Sequence, residues 1–329
     1  MTVQVRSFAK INLGLRIGAQ REDGFHDLLT VYQTLALHDV IRVRTERGNG
    51  IEIRCDDPRV PLDESNTCYR TVERTLQALG SKGRVVIEIE KRLPVQGGMG
   101  GASSNAVAAM LGLEVALKKS LRAIERLRIA ADVGSDLPLF LIGGTALGVG
   151  RGEQVYPLED LPTFPCIVVT PGVGVSTPKA FAEWDRLREE GLCGAKLTIP
   201  LASGRMNSLS REFSGWLSES YSGAPRRKQE KKLRGRAENP LLGLVRTGIR
   251  NDFEEVVFPE YPELRECRKA LVRAGARYAS LSGSGSTLYG LFASKQAARA
   301  AVEKLRKQGW AVQATATLTR RQYWSRIFD

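Results

Sequence analysis

The amino-acid sequence predicts an α+β fold in two domains, on three observations. The chain has 329 residues, more than the roughly 250–300 at which single cores stop growing. A strand-rich opening that runs to Glu90 gives way to helical segments. The short apolar run Pro165–Thr170 (PCIVVT) then starts a second series of strands and helices. We therefore expect one domain over 1–160 and another over 161–329. With 42% hydrophobic and 26% charged residues, the composition supports a buried core large enough to offset the entropy of ordering the chain.

Residues 3–17 alternate in strand fashion, Ile41–Arg44 and Ile51–Arg54 read as further strands, and Arg84–Glu90 (RVVIEIE) has the β-branched alternation of a half-buried strand. After a glycine cluster, Ser103 and Ser104 are expected to cap a helix over Ala106–Leu117 that carries almost no charge and must be buried. A helix is expected over Leu121–Ile129, and Leu137–Ile142 is expected to return to extended structure. In the second half, Lys179–Glu189, Glu263–Ala274 and Lys295–Gln308 read as helices. Leu281–Phe292 reads as strand-turn-strand, and the region Trp310–Thr317 as a last strand. Residues 202–240, rich in Ser, Gly, Lys and Arg, read as a flexible insertion.

Composition also excludes some functions. No run approaches the roughly 20 apolar residues that span a bilayer, and the start, MTVQVRSFAKINLGLRIG, lacks the apolar block of a signal peptide. A cytoplasmic protein is expected. Five scattered cysteines show no metal-ligand spacing and read as reduced thiols. The net charge of +13 is partly local, because Arg226–Arg236 holds seven basic residues against Glu230 alone. The modestly basic remainder suits a protein that binds anionic phosphates, and nucleic acid is not the expected partner.

The densest chemical signal is LPVQGGMGGASSNA at 93–106, an apolar strand that runs through glycines into two serines and a helix. Pro94, Gly97, Gly98, Met99, Gly100, Gly101, Ala102, Ser103 and Ser104 are the expected phosphate-binding residues. Successive glycines let backbone N–H groups converge on phosphate oxygens, and the helix start adds free amides and the positive end of its dipole. The run matches neither the Walker A loop, lacking its Lys-Ser/Thr, nor the dinucleotide fingerprint.

Phosphoryl transfer also needs a cation at the developing charge and a group that orients or deprotonates the attacking hydroxyl. In Ala9–Leu13, Lys10 and Asn12 interrupt an apolar strand at alternate positions and share a face. Asp136, in Val133–Pro138, precedes an apolar segment that would carry its carboxylate inward. A third glycine-rich piece, Ser282–Ser286, with Gly283, Ser284 and Gly285, is expected to form a second wall around phosphates or product.

These three segments, in this order, resemble the three motifs of the GHMP kinase superfamily, at Ala9–Leu13, Pro94–Ala106 and Leu281–Thr287. Within it, AKINLGLRI followed by REDGFHDLLTVYQ at 21–33 and a loop that runs on into SSNA resembles the 4-diphosphocytidyl-2-C-methyl-D-erythritol kinases. The resemblance implies a two-domain α+β fold with ATP and substrate in the interdomain cleft. It also implies phosphorylation of the 2-hydroxyl of the cytidine diphosphate methylerythritol compound in non-mevalonate isoprenoid synthesis. Lys10 and Asp136 match the catalytic pair, and Mg²⁺ is expected with ATP, its protein ligands unassigned. Phe25, His26 and Phe181 would recognise cytidine, the two phenylalanines sandwiching the base, with Asn12 and Thr177 near the erythritol diphosphate.

The match is not complete. Phe25 stands where those kinases usually have tyrosine, Met99 and Ala102 stand at positions more often leucine and glycine, and Ser284 and Ser286 replace Thr and Ala. Two rival readings stay open: a GHMP kinase for a mevalonate-like or sugar alcohol, and a non-catalytic relative that holds a polyanion through the basic insertion.

Overall fold

The computed structural model describes residues 2–193 and 250–328; the expected insertion at 202–240 lies outside them. Two antiparallel strands, β1 (Thr2–Gln20) and β2 (His26–Glu46), form the spine of the first sheet. The turn between them is closed by a bond from Arg21 N–H to the Phe25 carbonyl and by Gly24 at φ +80°. β3 (Gly50–Cys55) runs parallel to β4 (Arg84–Glu90), which pairs with the end of β2, while β5 (Thr145–Val149) pairs with its beginning and β6 (Gln154–Pro157) lies at the edge.

Helix α1 (Thr67–Ala78) makes the crossover from β3 to β4 that a parallel pair requires. Helix α2 (Gly101–Leu117) is buried along most of its length, as its nearly uncharged sequence dictates, and packs on β1 and β2. Its fit is close: a Cβ on Gly112 would lie 2.9 Å from Val43. Helices α3 (Ala123–Val133) and α4 (Leu137–Phe140) complete this core.

A second, fully antiparallel sheet has the order β10 (Val312–Ala316), β7 (Pro165–Val169), β9 (Leu288–Leu291), β8 (Tyr278–Leu281). Helices α5 (Thr177–Glu189), α6 (Phe253–Glu260), α7 (Pro262–Arg273) and α8 (Lys295–Lys307) cover it, burying Trp184, Phe253, Leu264, Leu271 and Leu305. The other face of this sheet meets the first one: Ile11, Leu13, Leu29 and Val31 pack against Val168, Tyr289 and Leu291. Residues 7–15 of β1 are thus buried on both faces, which is why the alternation fades there. After α9 (Arg320–Trp324) the chain returns to the first core, where the Tyr323 hydroxyl donates to the Phe140 carbonyl and Arg6 N–H to Ile327 O.

Two local expectations are corrected. Leu137–Ile142 forms a helical turn rather than extended chain, with Pro138 in its first turn and Leu137, Leu139 and Phe140 buried; a short apolar run does not reveal its period. Ser103 and Ser104 do not cap α2. The cap position is Gly100, in the left-handed region at φ +69°, and the serines lie inside the first turn.

Asp39 ties β2 to the segment entering the glycine loop. Fully buried, it accepts from Lys91 Nζ at 2.7 Å, Arg92 N–H at 2.7 Å and Leu93 N–H at 2.6 Å. Asp39→Ala takes the counter-charge from the largely buried Lys91 ammonium, which keeps only the Leu93 carbonyl, and the acceptor from the Arg92 and Leu93 N–H groups, so urea unfolding is expected to record a loss of about 3 kcal/mol. A loss under about 1 kcal/mol, the range of an exposed pair, contradicts this assignment.

Candidate active site

Four distant stretches of sequence meet where the two sheets join. Lys10, from the irregular part of β1 where its register with β2 shifts, is buried with Asn12. Its Nζ donates to Asn12 Oδ1 at 2.8 Å and lies 3.2 Å from Asp136 Oδ2. The Asn12 amide is oriented by its own donation to Thr30 Oγ1 at 2.7 Å, since the Thr30 hydroxyl spends its proton on the Gly14 carbonyl at 2.8 Å. An amide so fixed presents oxygen, not nitrogen, to the ammonium.

Asp136 is held on both sides. Tyr32, which the sequence reading did not single out, donates its hydroxyl to Asp136 Oδ1 at 3.0 Å, and Lys10 Nζ also lies 5.6 Å from the Tyr32 ring centre. Burial, then the neighbouring Asp136 charge, pushes the Tyr32 hydroxyl well above its ordinary range, so it stays a donor. The carboxylate itself is about 30% exposed, open enough to meet a ligand hydroxyl.

The glycine loop lies directly against this pair. Lys10 N–H donates to Met99 O at 3.0 Å, and a Cβ on Gly100 would sit 3.0 Å from the Lys10 stem and 2.9 Å from Phe140. Within α2 the first intrahelical partner is Ser104 N–H to Gly100 O at 2.8 Å; the amides of Gly101, Ala102 and Ser103 have no acceptor among the described residues. The second glycine segment, between β8 and β9, closes on the same loop. Ser282 Oγ donates to Gly98 O at 2.9 Å and Thr287 N–H to Gly97 O at 3.3 Å. A Cβ on Gly283 would lie 3.6 Å from Asn12 Oδ1 and 3.7 Å from Lys10 Nζ.

On the outer side of the loop is a cavity of about 380 Å³ between Pro94–Ser103 and a wall of Arg59, Pro61, Asn66 and Lys91. Asn66 caps α1, accepting from Cys68 N–H at 2.8 Å and donating to Pro61 O at 2.6 Å. Cys68 is no nucleophile there, its thiol pushed up to about 12 by burial.

The expected base-recognition residues divide. The His26 ring stacks on Phe181 at 4.6 Å and 10°, its Nε2 is 2.8 Å from Asp185 Oδ1, and Phe253 meets the Phe181 ring edge-on at 4.9 Å. Phe25 is half exposed, with the Arg151 guanidinium 4.9 Å from its ring centre. The ring across from Phe181 is thus His26, and Phe25 stands apart from both. Thr177 reaches Ser284, hydroxyl to hydroxyl at 2.6 Å, joining the start of α5 to the glycine hairpin.

A glycine loop thus opens a buried helix, with a lysine–aspartate pair at its mouth and a second glycine turn behind it. The GHMP kinases N terminal domain model matches residues 66–144, and the GHMP kinases C terminal model residues 237–310. The chain is 35% identical over 303 residues to 4-diphosphocytidyl-2-C-methyl-D-erythritol kinase of Solibacter usitatus (strain Ellin6076), covering 92% of this chain and 84% of that protein. It is 36% identical over 310 residues to the kinase of the same name from Nocardia farcinica (strain IFM 10152), covering 94% and 91%. A crystal structure of 4-(cytidine 5′-diphospho)-2C-methyl-D-erythritol kinase superposes with a TM-score of 0.70 at 29% identity, over 95% of this chain and 98% of that one. Homoserine kinase from Cytophaga hutchinsonii, at 19% identity and a TM-score of 0.69, shares the fold. The chain belongs to the 4-diphosphocytidyl-2-C-methyl-D-erythritol kinase family.

Proposed function

We propose that this chain transfers the γ-phosphate of ATP to the 2-hydroxyl of 4-diphosphocytidyl-2-C-methyl-D-erythritol, a step of non-mevalonate isoprenoid synthesis, in the cytoplasm. The observation that carries the reading is the 3.2 Å approach of Lys10 Nζ to Asp136 Oδ2 at the mouth of the glycine loop. The nucleoside of ATP fits the cavity beside Asn66 and Lys91, with its phosphates along Gly97–Ser104. The free amides of Gly101–Ser103 and the α2 dipole favour the negative charge there. The γ-phosphate then faces Lys10.

Asp136 accepts the proton of the attacking hydroxyl, or aligns it, and the Lys10 ammonium compensates the charge that gathers on the transferring phosphoryl oxygens. Asn12 and Tyr32 hold this pair in register. Gly283, Ser284, Gly285 and Thr177 form the wall behind the substrate diphosphate, and His26, Phe181 and the exposed Phe25 receive the base. Thus the substrates lie between an N-terminal lobe (1–160) and a C-terminal lobe (161–329).

Mg²⁺ would be supplied with ATP. It prefers substrate phosphates, waters and one or two carboxylates to an all-protein cage, and the residues present fit that habit. No group of three metal-ligating side chains sits together among the described residues, while Asp136 offers a carboxylate beside the loop. The ion would neutralise charge on the phosphates.

The test is a coupled ADP-release assay with the cytidine compound, mevalonate, homoserine and galactose as alternative acceptors. The cytidine compound is expected to be turned over with a kcat/KM far above the others. A preference for mevalonate or galactose moves the protein to another branch of the superfamily.

A further inference from the structure

We propose that Asp185 is a positioning residue that fixes the tautomer of His26 and thereby selects an amino over a keto pyrimidine; this rests on the nucleotide-alcohol reading above. Phe181 and Asp185 lie four residues apart on α5 and so share a helix face. From that face they grip one imidazole in two ways. The Phe181 ring fixes its plane by stacking at 4.6 Å, and the Asp185 carboxylate fixes its rotation through Nε2 at 2.8 Å. The histidine is nearly fully buried, with 4% of its side chain exposed, whereas Asp185 keeps access to water.

An ionised carboxylate only accepts hydrogen bonds, so Nε2 must carry the proton. In the neutral form of a ring so held the lone pair falls on Nδ1, which has no hydrogen-bond partner among the described residues. Nothing in the sequence forces this choice on every histidine. In His38, the chain's other histidine, Nδ1 lies 2.8 Å from the Ala36 carbonyl, which makes Nδ1 the donor and gives the opposite tautomer. The His26 state is therefore set locally, by Asp185.

The consequence is directional. An Nδ1 lone pair accepts from the exocyclic amine of cytosine but faces the O4 carbonyl of uracil lone pair to lone pair, leaving both unsatisfied. Without Asp185 the proton can move to Nδ1, and the keto base is no longer penalised.

Two measurements on the full chain decide the matter. With only two histidines in the chain, long-range ¹H–¹⁵N correlation spectra, assigned with His38→Gln, are expected to show His26 protonated at Nε2. In Asp185→Leu they should show a shift toward the Nδ1 form. Calorimetric binding of cytidine 5′-diphosphate and uridine 5′-diphosphate is expected to favour the cytidine compound in the wild type. The preference should fall about tenfold in Asp185→Leu, the scale of one hydrogen bond to an unsatisfied buried group. Asp185→Asn, whose amide oxygen still accepts from Nε2–H, should keep most of it. The proposal is overturned if wild-type His26 is protonated at Nδ1, if its tautomer does not respond to Asp185→Leu, or if affinity for both nucleotides falls by one factor, as lost packing alone would give. These readouts need no turnover, so a wild-type protein that binds cytidine selectively yet phosphorylates nothing refutes the kinase reading while leaving this one standing.

Discussion

Asp136→Asn is expected to lower kcat by about 10²–10⁴-fold, the range that a positioned general base supplies, while the dissociation constant for ATP stays close to that of the wild type. The substitution is nearly isosteric, and its amide oxygen can still accept from Lys10 Nζ or from the Tyr32 hydroxyl, the two partners of the carboxylate. The glycine loop, which holds the phosphates through backbone amides, is untouched. What disappears is a negative charge and a basic oxygen 3.2 Å from the lysine. Stopped-flow or steady-state turnover together with calorimetric ATP titration separates the two effects. Lost ATP binding with retained turnover would reverse the assignment of Asp136.

Gly98→Ala should strike the other half of the site. Gly98 has φ +77°, where an alanine costs about 1–2 kcal/mol, and its Cβ would come within 2.1 Å of the Ser282 carbonyl oxygen. Both contacting groups are backbone, so no side chain can swing away. The loop must separate from the glycine hairpin, breaking the bonds from Ser282 Oγ to Gly98 O and from Thr287 N–H to Gly97 O. Displacement of about 1 Å suffices for a loss near 10²-fold, and we expect that loss in kcat/KM for ATP together with a lower Tm. Gly172→Ala is the control, a glycine outside the loop whose Cβ would meet nothing within 4 Å. If the two variants behave alike, apposition of the two glycine segments is not what shapes the phosphate site.

The parts of the site legible in the sequence are those whose chemistry is written in local composition. Glycines crowded before a helix announce themselves, because an ordinary turn has no use for so many, whereas a lysine in a strand is usually a solvated one and Lys10 stood out through the resemblance of its motif. Tyr32, Lys91 and Asp185 gave no such signal, since each acquires meaning only from a partner far away: Tyr32 from Asp136, Lys91 from Asp39, Asp185 from His26. A tyrosine in a strand and an aspartate on an amphipathic helix are ordinary where they stand.

The same logic holds for the fold. Arg84–Glu90 and Lys295–Lys307 were readable from their periods, whereas Leu137–Phe140, wholly buried, had no period to read. Helix α6 was missed because its cues are weak, Pro259 standing near its end, whereas α1 was missed although Asn66 caps it and its apolar residues recur at helical spacing. The stack of His26 on Phe181 was hidden for a related reason, since it joins two rings that lie far apart in the sequence.

Phosphorus NMR of the wild-type protein turning over ATP, Mg²⁺ and 4-diphosphocytidyl-2-C-methyl-D-erythritol observes the transferred group itself. The account predicts a new phosphomonoester on the carbon-2 oxygen of the methylerythritol, formed in step with ADP and with no free phosphate. ADP accompanied only by inorganic phosphate, or a phosphoester on a different hydroxyl, would contradict the placement of the acceptor between Lys10 and Asp136.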